Sequence, residues 1–288
     1  MSILKLTPSC KDYLWGGSRL RTDFGVQSDL NPLAEAWVLS CHRWPQLSAG
    51  RHHVGGLPGR HPEAAGTDCK KFEMFPVLTK FIDAKNSISI QVHPSNEYAL
   101  EHEHQYGKTE MWYVLDCEPG AFLYYGFDHE ISREELEERI RNNTLTEVLN
   151  AVPVKKGDCF FIPSGTLHAI CKGVVVAEVQ QNSNVTYRVY DYGRVGADGK
   201  PRALHVKQAL EVMRRTPPEQ HDFSPHLAKC DYFTVDVVAG GYTGTADETS
   251  FVSLLITEGE GRLTCGGETV QAKKGDSFFI TAAAVPML

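Results

Sequence analysis

The sequence lacks an excess of positive charge, a long apolar run and, in its first residues, the apolar stretch of a signal peptide. Its 288 residues carry 29 Lys and Arg against 36 Asp and Glu, a formal net charge of −7. Nucleic-acid phosphates require a basic footprint, so this balance argues against nucleic acid as a partner, whereas a small phosphorylated ligand needs only a few local cations. No apolar run approaches the roughly 20 residues that span a bilayer. Because residues 1–6 also lack the features of a signal peptide, we expect neither a membrane segment nor secretion.

Paired cysteines are also missing. The eight cysteines are scattered and form no CxxC pair, which predicts reduced thiols in a cytoplasmic protein rather than a disulfide framework. Neither a dinucleotide-binding glycine fingerprint nor a P-loop is present. These absences argue against nicotinamide-dependent oxidation and against phosphoryl transfer.

Short β-branched or aromatic segments, bounded by Gly, Pro, Asn or Asp, make up most of the chain and predict a mainly β protein. The clearest predicted strands are Ser87–His93, Met111–Leu115, Ala121–Tyr125, Asp158–Ile162, Val174–Gln180, Asp231–Val238 and Phe251–Thr257. Two segments favour helices: Ser132–Leu149, which begins with an S-x-x-E capping box, and His205–Arg214.

An internal repeat indicates the architecture. Lys155–Ile162 recurs as Lys273–Ile280, with seven of eight residues identical at an offset of 118. A turn with Gly-Asp before an apolar strand, followed by Pro and His, is typical of the second half of a cupin motif. We therefore predict a double cupin, with two jelly-roll β units and a small helical insertion in the first. The first unit, residues 1–220, includes an N-terminal extension and the insertion at about 128–150, and residues 221–288 form a degenerate second unit.

Side chains with metal-ligand chemistry lie on or beside the predicted strands. Alternation along Ser87–His93 places Gln91 and His93 on one face, opposite the apolar residues at 88, 90 and 92. Glu110 begins the next strand, and His168 follows the first copy of the repeat. Two His and one carboxylate, joined by Gln91, suit a Zn²⁺ ion with an open position, and the same set suits the iron of non-haem oxygenases.

The second copy of the repeat lacks one of these ligands. At the offset of 118, His168 corresponds to Pro286. The sequence therefore predicts one metal ion per chain, in the first unit.

Five motifs resemble the type I mannose-6-phosphate isomerases, in particular their short bacterial branch. They occur in the family's order, from the N-terminus to about Arg194, and the resemblance beyond that point is confined to the cupin repeat. The motifs are KDYLWGG at Lys11–Gly17, QVHP at Gln91–Pro94, GKTEMWY at Gly107–Tyr113, PSGTLHA at Pro163–Ala169 and TYRVYDY at Thr186–Tyr192.

This resemblance implies a zinc-dependent aldose–ketose isomerase that interconverts mannose 6-phosphate and fructose 6-phosphate through an enediol intermediate. It implies that Gln91, His93, Glu110 and His168 bind the Zn²⁺ ion and that Arg188 is the catalytic arginine. The substrate would be a small sugar phosphate.

Other site residues are candidates from their position in the sequence. Lys108 is close to Glu110 and is a candidate for substrate contact, as is Glu178. For the general base, Glu178 and Asp191 are the carboxylates nearest to Arg188 in sequence, and both stay open. The family's long-chain branch has a His where this sequence has Gly107, so a proton-transfer role of that His does not carry over.

Two alternatives use the same ligand set. An iron-dependent cupin oxygenase would require Fe²⁺ and O₂ and no cation for a phosphate group. A non-catalytic, metal-dependent sugar-binding cupin would bind ligand without turnover.

Overall fold

The computed structural model describes residues 2–40, 62–195 and 199–282 of the chain, so that Pro286 lies outside the described residues. Within these ranges, no helix is long and apolar enough to cross a membrane. The strands are β1 (Ile3–Lys5), β2 (Ser9–Lys11), β3 (Glu35–Leu39), β4 (Val77–Ala84), β5 (Ile90–Val92), β6 (Glu110–Cys117), β7 (Phe122–Phe127), β8 (Leu149–Pro153), β9 (Cys159–Ile162), β10 (His168–Ile170), β11 (Val174–Gln181), β12 (Tyr187–Tyr190), β13 (Ala228–Lys229), β14 (Thr234–Val235), β15 (Val252–Leu255), β16 (Glu260–Cys265), β17 (Glu268–Lys273) and β18 (Ser277–Ile280). The α-helices are α1 (Arg19–Thr22), α2 (Asn96–His102), α3 (Arg133–Arg141) and α4 (Val206–Val212).

Two antiparallel sheets pack face to face. In the described part of the chain, one sheet has six strands in the order β2-β3-β4-β11-β6-β9 and the other has five in the order β12-β5-β10-β7-β8. Trp112 and Val176 from the first sheet share one buried core with Leu123 and Ile170 from the second. The predicted mainly β class is confirmed.

Alternation along β11 explains how polar groups reach the interior of this sandwich. Val174 and Val176 lie in the core between the sheets, whereas Val175 and Ala177 pack on the opposite face against α1 and the segment after it. Because side chains alternate along a strand, Glu178 falls on the interior face, at the end where the core becomes polar.

The helical insertion covers the outer face of the five-stranded sheet. Leu136 of α3 and Leu210 of α4 pack in the same core as Ile90 of β5. Ser132 caps α3 as predicted, since its hydroxyl accepts a hydrogen bond from the backbone N–H of Glu135 at 3.1 Å. The prediction of one helix over Ser132–Leu149 was too long, because α3 ends at Arg141 and Asn143 has a left-handed φ of 57°.

The predicted strand Ser87–His93 is regular only over Ile90–Val92. Ile88 lies in the core between the sheets and not with Ile90 and Val92 on the outer face, since residues 87–89 lie outside the regular ladder where alternation applies. Ser89 and Gln91 remain neighbours, because the Ser89 hydroxyl donates to Gln91 Oε1 at 3.1 Å.

The two copies of the repeat form the same turn. The backbone N–H of the Asp donates to the carbonyl three residues earlier, at 3.1 Å for Asp158 and 2.9 Å for Asp276. The preceding glycines have left-handed φ values, 92° at Gly157 and 88° at Gly275, which a residue with a Cβ adopts only under strain. A strand follows each turn, β9 in the first copy and β18 in the second.

Strand content around the second copy is lower than predicted. Of the predicted strand Asp231–Val238, only β14 is formed. The chain turns just before β14, where the Cys230 N–H donates to the Phe233 carbonyl at 3.0 Å. Strand β18 pairs with β15 and also with β1 from the N-terminus. The first residues of the chain therefore lie beside the second copy, while the boundary at residue 220 and the double jelly roll stay predictions.

Candidate metal centre

Three donor side chains meet in the interior of the sandwich. His93 follows β5, Glu110 begins β6 and His168 begins β10. One ligand atom from each lies within 4.8 Å of the others. His168 Nε2 is 3.3 Å from Glu110 Oε1, and His93 Nε2 is 3.8 Å from Glu110 Oε2. All three side chains are 1% exposed or less, so the predicted triad is brought together in a buried position.

Backbone carbonyls orient both imidazole rings. His93 Nδ1 lies 2.8 Å from the Val185 carbonyl oxygen, and His168 Nδ1 lies 2.8 Å from the Thr166 carbonyl oxygen. A carbonyl only accepts, so each Nδ1 carries the proton and each Nε2 presents a lone pair to the centre. His168 Nε2 and Glu110 Oε1 are buried without a hydrogen-bond partner among the described residues. Buried polar atoms normally have partners, and this donor set fits a divalent metal ion.

The protonation of the rings suits ligation. Burial, together with the positive charge of Lys108, holds the pKa of His93 well below its usual value. Burial lowers the pKa of His168 to about 4. Both imidazoles are therefore neutral at pH 7, which is the form that binds metals.

Gln91 lies on β5, the strand between β10, which carries His168, and β12, which carries Arg188. In the five-stranded sheet Gln91 pairs with His168 on one side and with Arg188 on the other. Its Oε1 accepts a hydrogen bond from Ser89, and its side chain lines the cavity described below. The sheet thus places Gln91 beside His168, while its role as a metal ligand stays a prediction.

A network of buried charges adjoins the three donors. Lys108 Nζ lies 2.7 Å from Glu110 Oε2 and 3.7 Å from Glu178 Oε1. Lys80 Nζ lies 3.1 Å from Glu178 Oε1 and 3.7 Å from Glu35 Oε2. Three carboxylates therefore share two ammonium groups, leaving negative charge next to a predicted cation site. Burial and then the negative charge of Glu178 raise the pKa of Glu110.

Replacing Glu178 by Gln should destabilise the fold. Burial opposes ionisation of Glu178 and would raise its pKa. The positive charges of Lys108 and Lys80, together with a 2.9 Å hydrogen bond from Trp112 Nε1, outweigh burial and lower the pKa. The substitution breaks the buried ion pair of Lys80 with its nearest carboxylate, at 3.1 Å, and leaves this lysine only Glu35, at 3.7 Å. Breaking a buried ion pair is strongly destabilising, so Glu178→Gln should lower the free energy of unfolding by about 3 kcal/mol. Urea denaturation at pH 7 measures this change.

The matched control is Glu137→Gln on α3, where the ion pair with Arg133 is exposed. This substitution should change the free energy of unfolding by less than about 0.5 kcal/mol. Equal effects of the two substitutions would show that the buried network does not require the Glu178 charge.

A cavity of about 300 Å³ opens beside the metal centre. Lys108, Gln91 and Glu178 line it on the side of the three donors, and Lys108 Nζ also lies 3.2 Å from His93 Nε2. A ring pair, Tyr13 stacked on Trp15 at 5.6 Å, lines another part of the wall. The size suits a small molecule of the dimensions of a sugar phosphate.

Arg188 projects into this cavity from β12. Its Nε donates to the Ser89 hydroxyl at 3.2 Å and its Nη1 to the Ala203 carbonyl at 3.2 Å. Both acceptors are neutral, and in the described part of the chain no carboxylate forms an ion pair with this guanidinium. Burial and then the neighbouring Arg202 lower the pKa of Arg188.

The two candidate bases are placed differently. Glu178 lines the cavity, whereas Asp191 is absent from its lining. Both Asp191 oxygens accept hydrogen bonds from Arg202, at 2.7 and 2.6 Å, and Arg194 binds the same carboxylate. Asp191 is therefore placed as a partner of arginines and not as a base facing the cavity.

The backbone leaves no room for a side chain at Gly107. A Cβ there would lie 2.3 Å from the carbonyl carbon of Ser95 and 2.5 Å from the backbone nitrogen of Asn96. The close approach of this chain segment to the start of α2 gives a physical reason for glycine at the position where the long-chain branch has His.

Sequence reasoning missed several residues of the cavity wall. Lys80, Glu35, Trp37 and Arg202 were not singled out as site residues, yet all four line the cavity. A usable signal existed for Lys80, which is a lysine in the middle of the apolar segment Val77–Ala84. A fully buried lysine requires a buried acid as partner.

Comparisons with known proteins agree with the geometry. The family model described as "Phosphomannose isomerase type I, catalytic domain" matches residues 3–118. A second, "Mannose-6-phosphate isomerase, cupin domain", matches residues 224–287, which confirms the cupin part of the predicted fold class.

Individual relatives extend over nearly the whole chain. The mannose-6-phosphate isomerase ManA of Bacillus subtilis is 37% identical over 290 residues, covering 95% of this chain and 91% of the relative. The mannose-6-phosphate isomerase of Streptococcus mutans is 36% identical over 282 residues, covering 93% and 88%. A crystal structure of mannose 6-phosphate isomerase from Bacillus subtilis superposes with a TM-score of 0.85 at 34% identity, covering 98% of this chain and 95% of that one.

Proposed function

The chain belongs to the type I phosphomannose isomerases, as its motifs predicted, and from this premise we propose that it interconverts mannose 6-phosphate and fructose 6-phosphate with one bound Zn²⁺ ion. One observation carries the proposal: two neutral imidazoles and a carboxylate converge, buried and incompletely hydrogen-bonded, beside a cavity that Arg188 enters. This is the donor set of a catalytic zinc site, next to a fixed positive charge.

His93, Glu110 and His168 would hold the ion, with Gln91 as the fourth protein ligand. When bound, Zn²⁺ supplies Lewis acidity, which polarises the substrate carbonyl and acidifies the neighbouring C–H bond. The Val185 and Thr166 carbonyls keep both Nε2 atoms directed at the centre, so that the ligands need little reorganisation.

The other residues of the cavity act on the substrate. The isomerisation moves a proton between two adjacent carbons through an enediol, so negative charge develops on oxygen. Arg188 carries a permanent charge and points into the cavity, where it stabilises this developing charge. Lys108 and Glu178 would contact the substrate from the donor side, and Lys80 and Lys108 keep Glu178 in its ionised form.

A single active site in the first unit is part of this proposal. Every residue assigned above lies within residues 1–220, and the position equivalent to His168 in the second copy is Pro286. We propose that residues 221–288 carry no metal ion.

A coupled assay tests the proposed reaction. Purified protein receives mannose 6-phosphate, and formation of fructose 6-phosphate is followed with and without a chelator and with Zn²⁺ restored. Absence of turnover in the metal-replete protein would reject the isomerase assignment. Oxygen consumption with Fe²⁺ would favour the oxygenase, and binding without turnover would favour the sugar-binding cupin.

A further inference from the structure

Four positively charged side chains line the described part of the cavity: Lys80, Lys108, Arg188 and Arg202. The two lysines are buried at the donor side and are engaged by Glu35, Glu110 and Glu178. Their charge is thus neutralised within the protein. The two arginines are the cations left for an anionic group of a ligand.

Arg202 is held rigidly at the cavity wall. Its Nε and Nη2 donate to the two oxygens of Asp191 at 2.7 and 2.6 Å, a bidentate arrangement that fixes the plane of the guanidinium. Asp191 is only 6% exposed and is held from the other side by Arg194. The bidentate pair leaves Arg202 Nη1 outside the contact with Asp191.

Asp191 and the arginines at positions 188, 194 and 202 form a cluster whose charge matches a dianion. Arg194 and Arg202 share the Asp191 carboxylate, and the Arg188 guanidinium forms no ion pair in the described part of the chain, so two positive charges remain uncompensated. A phosphate monoester carries a charge of about −1.5 to −2 at pH 7. Two guanidinium groups in proximity repel each other, and a bound phosphate relieves that repulsion.

The sheet also sets the distance between this cluster and the metal centre. Arg188, Gln91 and His168 are register partners on three adjacent strands. Neighbouring strands are about 4.8 Å apart, so the backbone at Arg188 lies about 10 Å from that at His168. A hexose 6-phosphate spans a comparable length, with its reacting carbons at one end and its phosphate at the other.

We propose that Arg202 binds the phosphate group of the substrate and that Asp191 is the residue that positions it, an inference that rests on the proposed function. Arg188 lines the same cavity and lies beside Gln91 in the sheet. The cluster therefore selects a phosphorylated sugar and directs its reacting carbons towards His93, Glu110 and His168.

Replacing Arg202 by Met in the metal-replete protein tests this assignment. The KM for mannose 6-phosphate and the inhibition constant of inorganic phosphate should both rise about 10- to 100-fold, as expected for the loss of a charge-assisted hydrogen bond. The kcat should stay within about threefold, because the lost contact is the same in ground state and transition state. Asp191→Asn should raise the KM in the same direction by about tenfold, again with little change in kcat.

Arg194→Met is the matched control, because Arg194 binds the same carboxylate but does not line the cavity. It should leave the KM within about twofold, as for a substitution outside the binding surface. Equal effects of Arg194→Met and Arg202→Met, or a normal KM and phosphate inhibition in Arg202→Met, would overturn the proposal.

A binding measurement separates this inference from the proposed reaction. Inorganic phosphate should raise the Tm of the wild-type protein and leave that of Arg202→Met unchanged, because only a ligand bound to the folded state stabilises it. That result in a protein without isomerase activity would support the anion site while rejecting the reaction. Equal rises in Tm would reject the role of Arg202 even in an active isomerase.

Discussion

Replacing His168 by Ala should remove the metal ion from the protein and lower kcat/KM for mannose 6-phosphate by about 1000-fold or more, the loss expected when several kcal/mol of metal-ion stabilisation disappear. His168 supplies one of only three His and carboxylate donors in the cluster. Its Nε2 has no hydrogen-bond partner in the described structure, so no described hydrogen bond compensates for the burial of this atom. Metal content by mass spectrometry and the coupled assay are measured on the same sample.

His129→Ala is the control for this substitution. His129 is an exposed side chain whose ring pairs with Asp128, which is not one of the three donors. It should leave both the metal content and the activity unchanged. Full activity and one metal ion per chain in His168→Ala would show that the proposed ligand set is wrong.

Replacing Arg188 by Met should lower kcat/KM by about 100- to 1000-fold while the metal content stays at the wild-type value, a loss typical of removing one preorganised group that stabilises a developing oxyanion. In the described structure the side-chain hydrogen bonds of Arg188 go to Ser89 and Ala203, and neither partner is one of the three donors. The substitution therefore separates metal binding from charge stabilisation.

The conservative variant Arg188→Lys should recover only part of the activity, because an ammonium lacks the planar fork of the guanidinium. Arg133→Met, which removes an exposed arginine from α3, is the control and should retain wild-type kinetics. Loss of the metal ion together with activity in Arg188→Met would contradict the separate roles, and so would unchanged kcat/KM.

Local patterns were sufficient to predict that His93, Glu110 and His168 form a cluster. Each of His93, Glu110 and His168 sits in a short motif on or beside a predicted strand, and strand alternation predicted Gln91 on the same face as His93. The Gly-Asp turn could also be predicted, because the turn itself requires glycine at a left-handed φ.

Contacts between distant segments were not predictable in the same way. Lys80 lies opposite Glu178 only because β4 and β11 pair in one particular register, and no local pattern specifies that register. The pairing of β1 with β18 joins the two ends of the chain and is equally invisible to local analysis. Arg202 reaches the cavity wall because Asp191 holds it, which is a contact between side chains and not a property of either motif.

Predicted boundaries of helices and strands were wrong where the backbone conformation ends an element although the side-chain pattern continues. The apolar stripe of Ser132–Leu149 continues past Arg141, but the left-handed residue Asn143 ends the helix and a 3₁₀ turn follows at Leu145–Val148. In Ser87–His93 the predicted alternation holds for Gln91, which lines the cavity, but Ile88 does not share the face of Ile90. The reason is that ladder hydrogen bonds constrain only part of the segment.

Metal depletion and reconstitution test the central claim most directly. Wild-type protein is stripped with a chelator, its residual metal is quantified, and isomerisation of mannose 6-phosphate is followed while Zn²⁺ is titrated back. Activity should be absent in the stripped protein and should return in proportion to bound Zn²⁺, with a plateau at one ion per chain. Undiminished turnover in protein shown to be free of metal would contradict a reaction that depends on the site of His93, Glu110 and His168.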